Sequence, residues 1–186
     1  MKYYTKGFTI VEALVAISIL VIVISGGFVA VSNSLRNATL SKEQITAFFL
    51  AQEGMEAVRY QRDSNGLNSG SAWNEGLTTT GAPCLAPRVC YVDATTLPDP
   101  TFVFCGNDWG TCPVIENNSS NHLYNYSGDP TPFRREVRIT PLTGIPHIDD
   151  GNVLQVEVRV GWQHNNEDKE FVTSGLLYNW QKYEGS

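Results

Sequence analysis

The stretch Gly7–Val31 reads GFTIVEALVAISILVIVISGGFVAV. A carboxylate, Glu12, stands at its entrance, and residues 13–31 carry no charge. As a helix those residues would extend about 28 Å, close to the roughly 30 Å hydrocarbon layer of a bilayer. Beyond Val31 the chain turns polar and stays so. A chain of 186 residues with this pattern predicts one membrane span followed by one polar domain. An ionised carboxylate in the apolar layer costs a few kcal/mol unless it is partnered. An ordinary anchor has no use for it.

Flanking charge sets the orientation. Lys2 and Lys6 precede the span, which places the N-terminus in the cytoplasm. Arg36 and Lys42 lie on the far side, but a long polar domain is translocated largely regardless of such charges. The C-terminal body is thus expected outside the cytoplasm, where disulfides persist. The formal net charge of −6 argues against nonspecific nucleic-acid binding, which needs a basic surface. The four cysteines, Cys84, Cys90, Cys105 and Cys112, fall in one loop-rich region. They allow three pairings, of which Cys84–Cys90 with Cys105–Cys112 closes two short loops. An all-cysteine zinc site is the rival, but neither pair has the usual zinc spacing, and no His pattern completes a site.

A cleaved secretory signal would have a shorter apolar run ending in small residues. Here "ISGG" (Ile24–Gly27) is followed by more apolar sequence, so a signal anchor fits better. The stretch "KGFTIVEALVAISILVI" resembles the amino terminus of type IV pilins and type II secretion pseudopilins. In that family a short basic leader ends in Gly, an aromatic or apolar residue follows, and Glu is fifth after the cut. Gly7, Phe8 and Glu12 occupy those places. The resemblance implies cleavage of Gly7–Phe8 by a membrane-embedded aspartyl prepilin peptidase, and N-methylation of Phe8. It implies as partners other pilin or pseudopilin subunits, an inner-membrane assembly platform and its ATPase. It implies residence as a single-pass inner-membrane protein with an extracytoplasmic head, before assembly into a surface or periplasmic filament. "AQEGMEAVRYQRDS" is similar to the helix after the membrane in minor, PilV-like subunits, and the elaborate head points the same way.

Charge gives Glu12 a reason to exist. Cleavage creates an α-amine at Phe8 with a pKa of about 8, largely cationic at neutral pH. That amine lies about one helical turn from Glu12. Low dielectric strengthens such a pair and penalises an unpaired charge. The resemblance extends the pairing to the amine of a neighbouring subunit, making Glu12 an assembly and register signal.

Past the membrane, Ile45, Phe48, Phe49, Met55 and Val58 follow helical spacing and predict an amphipathic stripe that packs on a sheet. Ser41 with Gln44 resembles a capping box, which allows a break or bend near Ser41, and Gly26–Gly27 is a second weak point because paired glycines lower helix propensity. Residues 64–132 read as long loops with short strands at Arg88–Val92 and Thr101–Cys105. In the last third Leu154, Val156, Val158, Val160 and Trp162 alternate with Gln155, Glu157 and Arg159. With "FRREVRI" before and "EFVTSGLLYNW" after, joined by "HNNED", they predict a three-stranded antiparallel meander. The expected fold is α+β and pilin-like: a long N-terminal helix, membrane-spanning in its first half, on an antiparallel head with disulfide-stapled loops. The expected divisions are leader 1–7, span 8–35, amphipathic continuation 36–63 and head 64–186.

No nucleophile triad, phosphate loop or zinc-protease motif is present. His122, His147 and His164 are scattered and expected to face solvent. "DDGN" (Asp149–Asn152) reads as a polar turn before a strand rather than a calcium loop. Arg134, Arg135 and Arg138 are expected on a solvated strand face with Glu136 and Glu157. The reading expects a structural subunit with no catalytic residue, metal or cofactor. The alternative is a membrane-anchored binding module or hydrolase, with the span as a plain tether. Loss of Glu12 would separate the two, since a tethered enzyme would not depend on it.

Overall fold

The computed structural model describes residues 7, 9–68, 70–96, 99–146 and 150–180. The chain divides into two compact units, Met1–Glu43 and Gln44–Ser186. A single helix, α1 (Ile10–Leu67), contributes to both.

In the first unit the helix is apolar and none of its candidate membrane window is buried. The many Ile and Val residues there are mediocre helix formers in water. In lipid a helix is the only way one segment can satisfy its own backbone, and that outweighs propensity. Ser18 Oγ donates to Leu14 O at 2.8 Å, and Thr39 Oγ1 donates to Leu35 O at 3.1 Å, so these hydroxyls bond within the helix. Neither weak point interrupts the helix: α1 runs through both Gly26–Gly27 and Ser41. Two helical glycines cost about 2 kcal/mol relative to alanine, less than the backbone bonds a gap in lipid would forfeit. Ser41 has helical residues before it, so the amides it might cap already have carbonyl partners four residues back.

The second unit is built on a five-stranded antiparallel sheet, ordered β2-β1-β6-β7-β8. Its strands are β1 (Val89–Asp93), β2 (Thr101–Gly106), β6 (Arg134–Pro141), β7 (Val153–His164) and β8 (Glu167–Tyr178). A small sheet, ordered β4-β3-β5, comprises β3 (Glu116–Asn117), β4 (Tyr124–Asn125) and β5 (Asp129–Pro130). The expected meander is β6-β7-β8, and β1 joins its edge where Cys90 pairs with Val137. Asn165 and Asn166 turn the β7–β8 hairpin with φ of 52° and 64°, the paired left-handed conformation of a type I′ turn. Leu154, Val156, Val158, Val160 and Trp162 are buried, as their alternation requires.

The helix covers this face of the sheet with Ala47, Leu50, Ala51, Gly54, Met55, Ala57 and Val58. This corrects the expected stripe. Met55 and Val58 are buried, but Ile45 (58% exposed), Phe48 (40%) and Phe49 (61%) are not. Small residues occupy the seam because the backbone comes close to the sheet. A Cβ at Gly54 would lie 3.0 Å from Arg135 Cδ and 3.2 Å from Val158 Cγ1. Phe48 instead packs edge-on against Phe171, with ring centroids 5.6 Å apart.

The arginine cluster is also corrected. Strand alternation places Arg135 on the same face as Val137 and Ile139, and it is fully buried. Its Nη1 donates to Glu53 Oε2 at 2.6 Å and to Leu50 O at 3.1 Å, and its Nη2 donates to Val92 O at 2.6 Å. A guanidinium with several fixed acceptors is the cation best suited to such a place. Glu136 faces the other way and is also buried. It accepts from Gly110 N at 2.9 and 2.8 Å and from Cys112 N at 3.0 Å. The guanidiniums of Arg138 and Arg159 each stack 4.4 Å from the Trp109 ring. Arg138 donates to Asn107 O at 2.7 Å, while Glu157 pairs with Arg159.

Candidate functional site

The residues singled out for processing lie at the start of α1. Gly7 is exposed and precedes the helix, and among the described residues a Cβ there would meet nothing within 4 Å. Phe8 lies outside the described residues, as do Lys2 and Lys6. Thr9 closes the helix end. Its carbonyl accepts Ala13 N–H at 3.2 Å, and its Oγ1 accepts Glu12 N–H at 3.2 Å. That is the N-cap arrangement, with Glu12 as the third helical residue. The T-x-x-E spacing is a capping-box pattern, and the sequence reading missed it here. Glu12 is exposed in the first turn, where a carboxylate is favoured by the partial positive charge of the helix N-terminus.

Downstream, Ile10 to Val31 present exposed apolar side chains around the helix, including Leu14, Ile17, Leu20, Val21 and Phe28. A length of this kind has two physical solvents, lipid or other apolar helices.

In the head, Cys84 is bonded to Cys90 and Cys105 to Cys112. The first pair sits in the core, while the second closes the turn that holds Trp109. Trp73 is buried, and Tyr126 stacks on Tyr91 at 4.1 Å between centroids. Burial pushes the Tyr126 phenol up to about 12, partly offset by the positive charge of Arg135. His122 is exposed, His164 ends β7, and His147 lies outside the described residues. Asp149 also lies outside them, and Asp150 accepts Gly144 N–H at 2.7 Å. Among the described residues no three His, Cys, Asp or Glu side chains gather to hold a metal. A cavity of about 360 Å³ beside α1 is lined by residues that include Glu53, Glu56, Arg59, Tyr60 and Asp63.

Residues 3–28 match the family model described as the prokaryotic N-terminal methylation motif. This motif is the type IV pilin and pseudopilin signal. The match supports a pilin- or pseudopilin-like prepilin substrate, and the motif implies processing by prepilin peptidase and assembly with other pilin subunits. No curated protein and no solved structure matches the chain. The architecture agrees with the signal: an apolar N-terminal helix, an α+β layout with antiparallel sheets, and two disulfides.

Proposed function

We propose that this chain is a structural subunit, and a minor one, of a type IV pilus-like or type II secretion pseudopilus filament. The observation that carries the reading is the methylation motif on an uncovered apolar helix, with Glu12 fifth after Gly7. Prepilin peptidase cuts after Gly7 and N-methylates Phe8. Residues 1–7 leave as the leader, 8–35 span the inner membrane and later form the filament core, 36–63 continue the helix, and 64–186 form the extracytoplasmic head. In the membrane the helix is solvated by lipid, and in the filament by neighbouring helices. The free-energy difference from apolar burial is therefore small. Direction and register come from elsewhere: the platform and ATPase supply work, and Glu12 pairs with the amine unmasked at Phe8. Irregular, stapled loops beside the five-stranded sheet support a specialised rather than a repeating subunit. Proteins with this methylation motif are generally structural, which supports a non-enzymatic role.

The test is mass spectrometry of the native protein from cells with a working peptidase. The expected chain begins with N-methylated Phe8, and a chain that retains Met1 and Lys2 overturns the reading. Glu12→Ala is expected to leave membrane insertion intact and to abolish incorporation into filaments. Normal incorporation would remove Glu12 from the assembly mechanism.

A further inference from the structure

We infer that Thr9 is a positioning residue for leader removal: by capping α1 it keeps the helix from growing back across the Gly7–Phe8 bond. The inference rests on the processing reading and adds to it a conformational requirement.

The geometry is specific. In a continuous helix the Glu12 amide would bond to the carbonyl of residue 8, and the Val11 amide to the carbonyl of residue 7. The latter is the carbonyl that hydrolysis must attack. The Thr9 hydroxyl takes the Glu12 amide instead, and Thr9 O takes the first helical bond, from Ala13. The helix can therefore start at Ile10 without recruiting the scissile carbonyl. Near the apolar layer this matters more than in water. An unsatisfied amide there is expensive, and without the cap another turn drawn from upstream would move the open donors out of the apolar layer. Gly7, a weak helix former, resists that turn from the other side. Cap and glycine together disfavour helix at Gly7, the residue that carries the scissile carbonyl. Hydrolysis then breaks the bond from the Gly7 carbonyl carbon to the Phe8 nitrogen. The hydroxyl of water goes to the carbon and its proton to the nitrogen, giving a carboxylate on the leader and the new amine. The mature chain keeps the cap one residue after that amine, and Glu12 remains beside it on the first turn.

The experiment follows cleavage of the full-length precursor by prepilin peptidase in membranes. Precursor and product are separated by the mass of residues 1–7. Thr9→Val preserves the shape of the side chain and removes the acceptor. Thr9→Ser and Thr9→Asn keep an acceptor on a different shape. We expect Thr9→Val to be cut about fivefold more slowly, the factor carried by a cap worth about 1 kcal/mol. Thr9→Ser and Thr9→Asn are expected within twofold of the native precursor. Cleavage of Thr9→Val at the native rate overturns the inference. So does a Thr9→Asn precursor as slow as Thr9→Val, because a peptidase pocket would then be reading side-chain shape. Failure of the native precursor to be cut would overturn the processing reading itself, which is a distinct result.

Discussion

Arg135 on β6 and Glu53 on α1 meet at 2.6 Å, 82 residues apart in sequence, with the guanidinium fully buried and the carboxylate partly exposed. The pair ties the helix to the sheet at the point where Gly54 lets the two approach. Removing one partner of such a pair leaves a buried charge uncompensated, and that penalty exceeds the net worth of the pair. Glu53→Ala is therefore expected to destabilise the detergent-solubilised chain by about 2 kcal/mol, less than for a fully buried partner because Glu53 retains solvent contact. Adding Arg135→Met should recover part of the loss. Urea unfolding of both variants checks this, and a double variant less stable than Glu53→Ala would contradict it.

Gly54 gives a second prediction. Its missing side chain sets the distance between helix and sheet, so Gly54→Leu should cost about 2 kcal/mol through overpacking against Arg135 and Val158. Gly175 offers an internal comparison. A Cβ there would meet Met55 at an ordinary 3.5 Å, so Gly175→Ala should be nearly neutral in the same unfolding measurement.

Tyr126 makes stability depend on alkaline pH. Its phenol is pushed from 10.0 up to about 12 by burial. Between those values the unfolded chain releases the proton and the folded chain keeps it, so stability falls as pH rises through this window. The contribution is fully present below the unfolded value and is lost by the folded one, amounting to about 3 kcal/mol. Tyr126→Phe should flatten that part of the stability profile, measured by thermal unfolding across alkaline buffers.

The Cys105–Cys112 bridge closes a short loop that presents Trp109 to Arg138 and Arg159. Replacing both cysteines with Ser should cost about 2–3 kcal/mol by the chain-entropy relation for a loop of this size. Tryptophan fluorescence should report the release of Trp109. An unchanged emission spectrum would show that Glu136, which also bonds this turn at Gly110 and Cys112, holds it unaided.

The β7–β8 turn can be improved. Asn166 adopts φ of 64°, a conformation glycine reaches without steric cost. Asn166→Gly, giving the preferred Asn-Gly pair, should raise stability by about 0.5 kcal/mol or leave it unchanged. A clear loss of stability in thermal unfolding would show that the Asn166 side chain has a role of its own.

Some of this architecture was legible in the chain. The alternation from Leu154 to Trp162 named one buried face of β7 correctly, because a strand's period of two is a property of its own backbone. The charge-free run after Glu12 and the G-F-x-x-x-E spacing were equally local, and together they marked the apolar helix and the methylation motif. The helical stripe failed for a related reason. Apolar residues cover more than one side of α1 between Ile45 and Val58, and hydrophobicity alone favoured the bulky Phe48 and Phe49 over Ala47, Ala51 and Gly54.

Sequence by itself thus determined the elements whose polarity is written along one segment: the apolar helix, the signal at its mouth and the meander. Only the tertiary structure decided which side of α1 meets the sheet, that β1 joins the meander, and that Arg135 is interior while Arg138 stacks on Trp109. The physical reason is that burial of a charge depends on acceptors brought from elsewhere. Arg135 can leave water because Leu50, Glu53 and Val92 arrive from a distant helix and strand with oxygens in place, and nothing in residues 134–138 announces them.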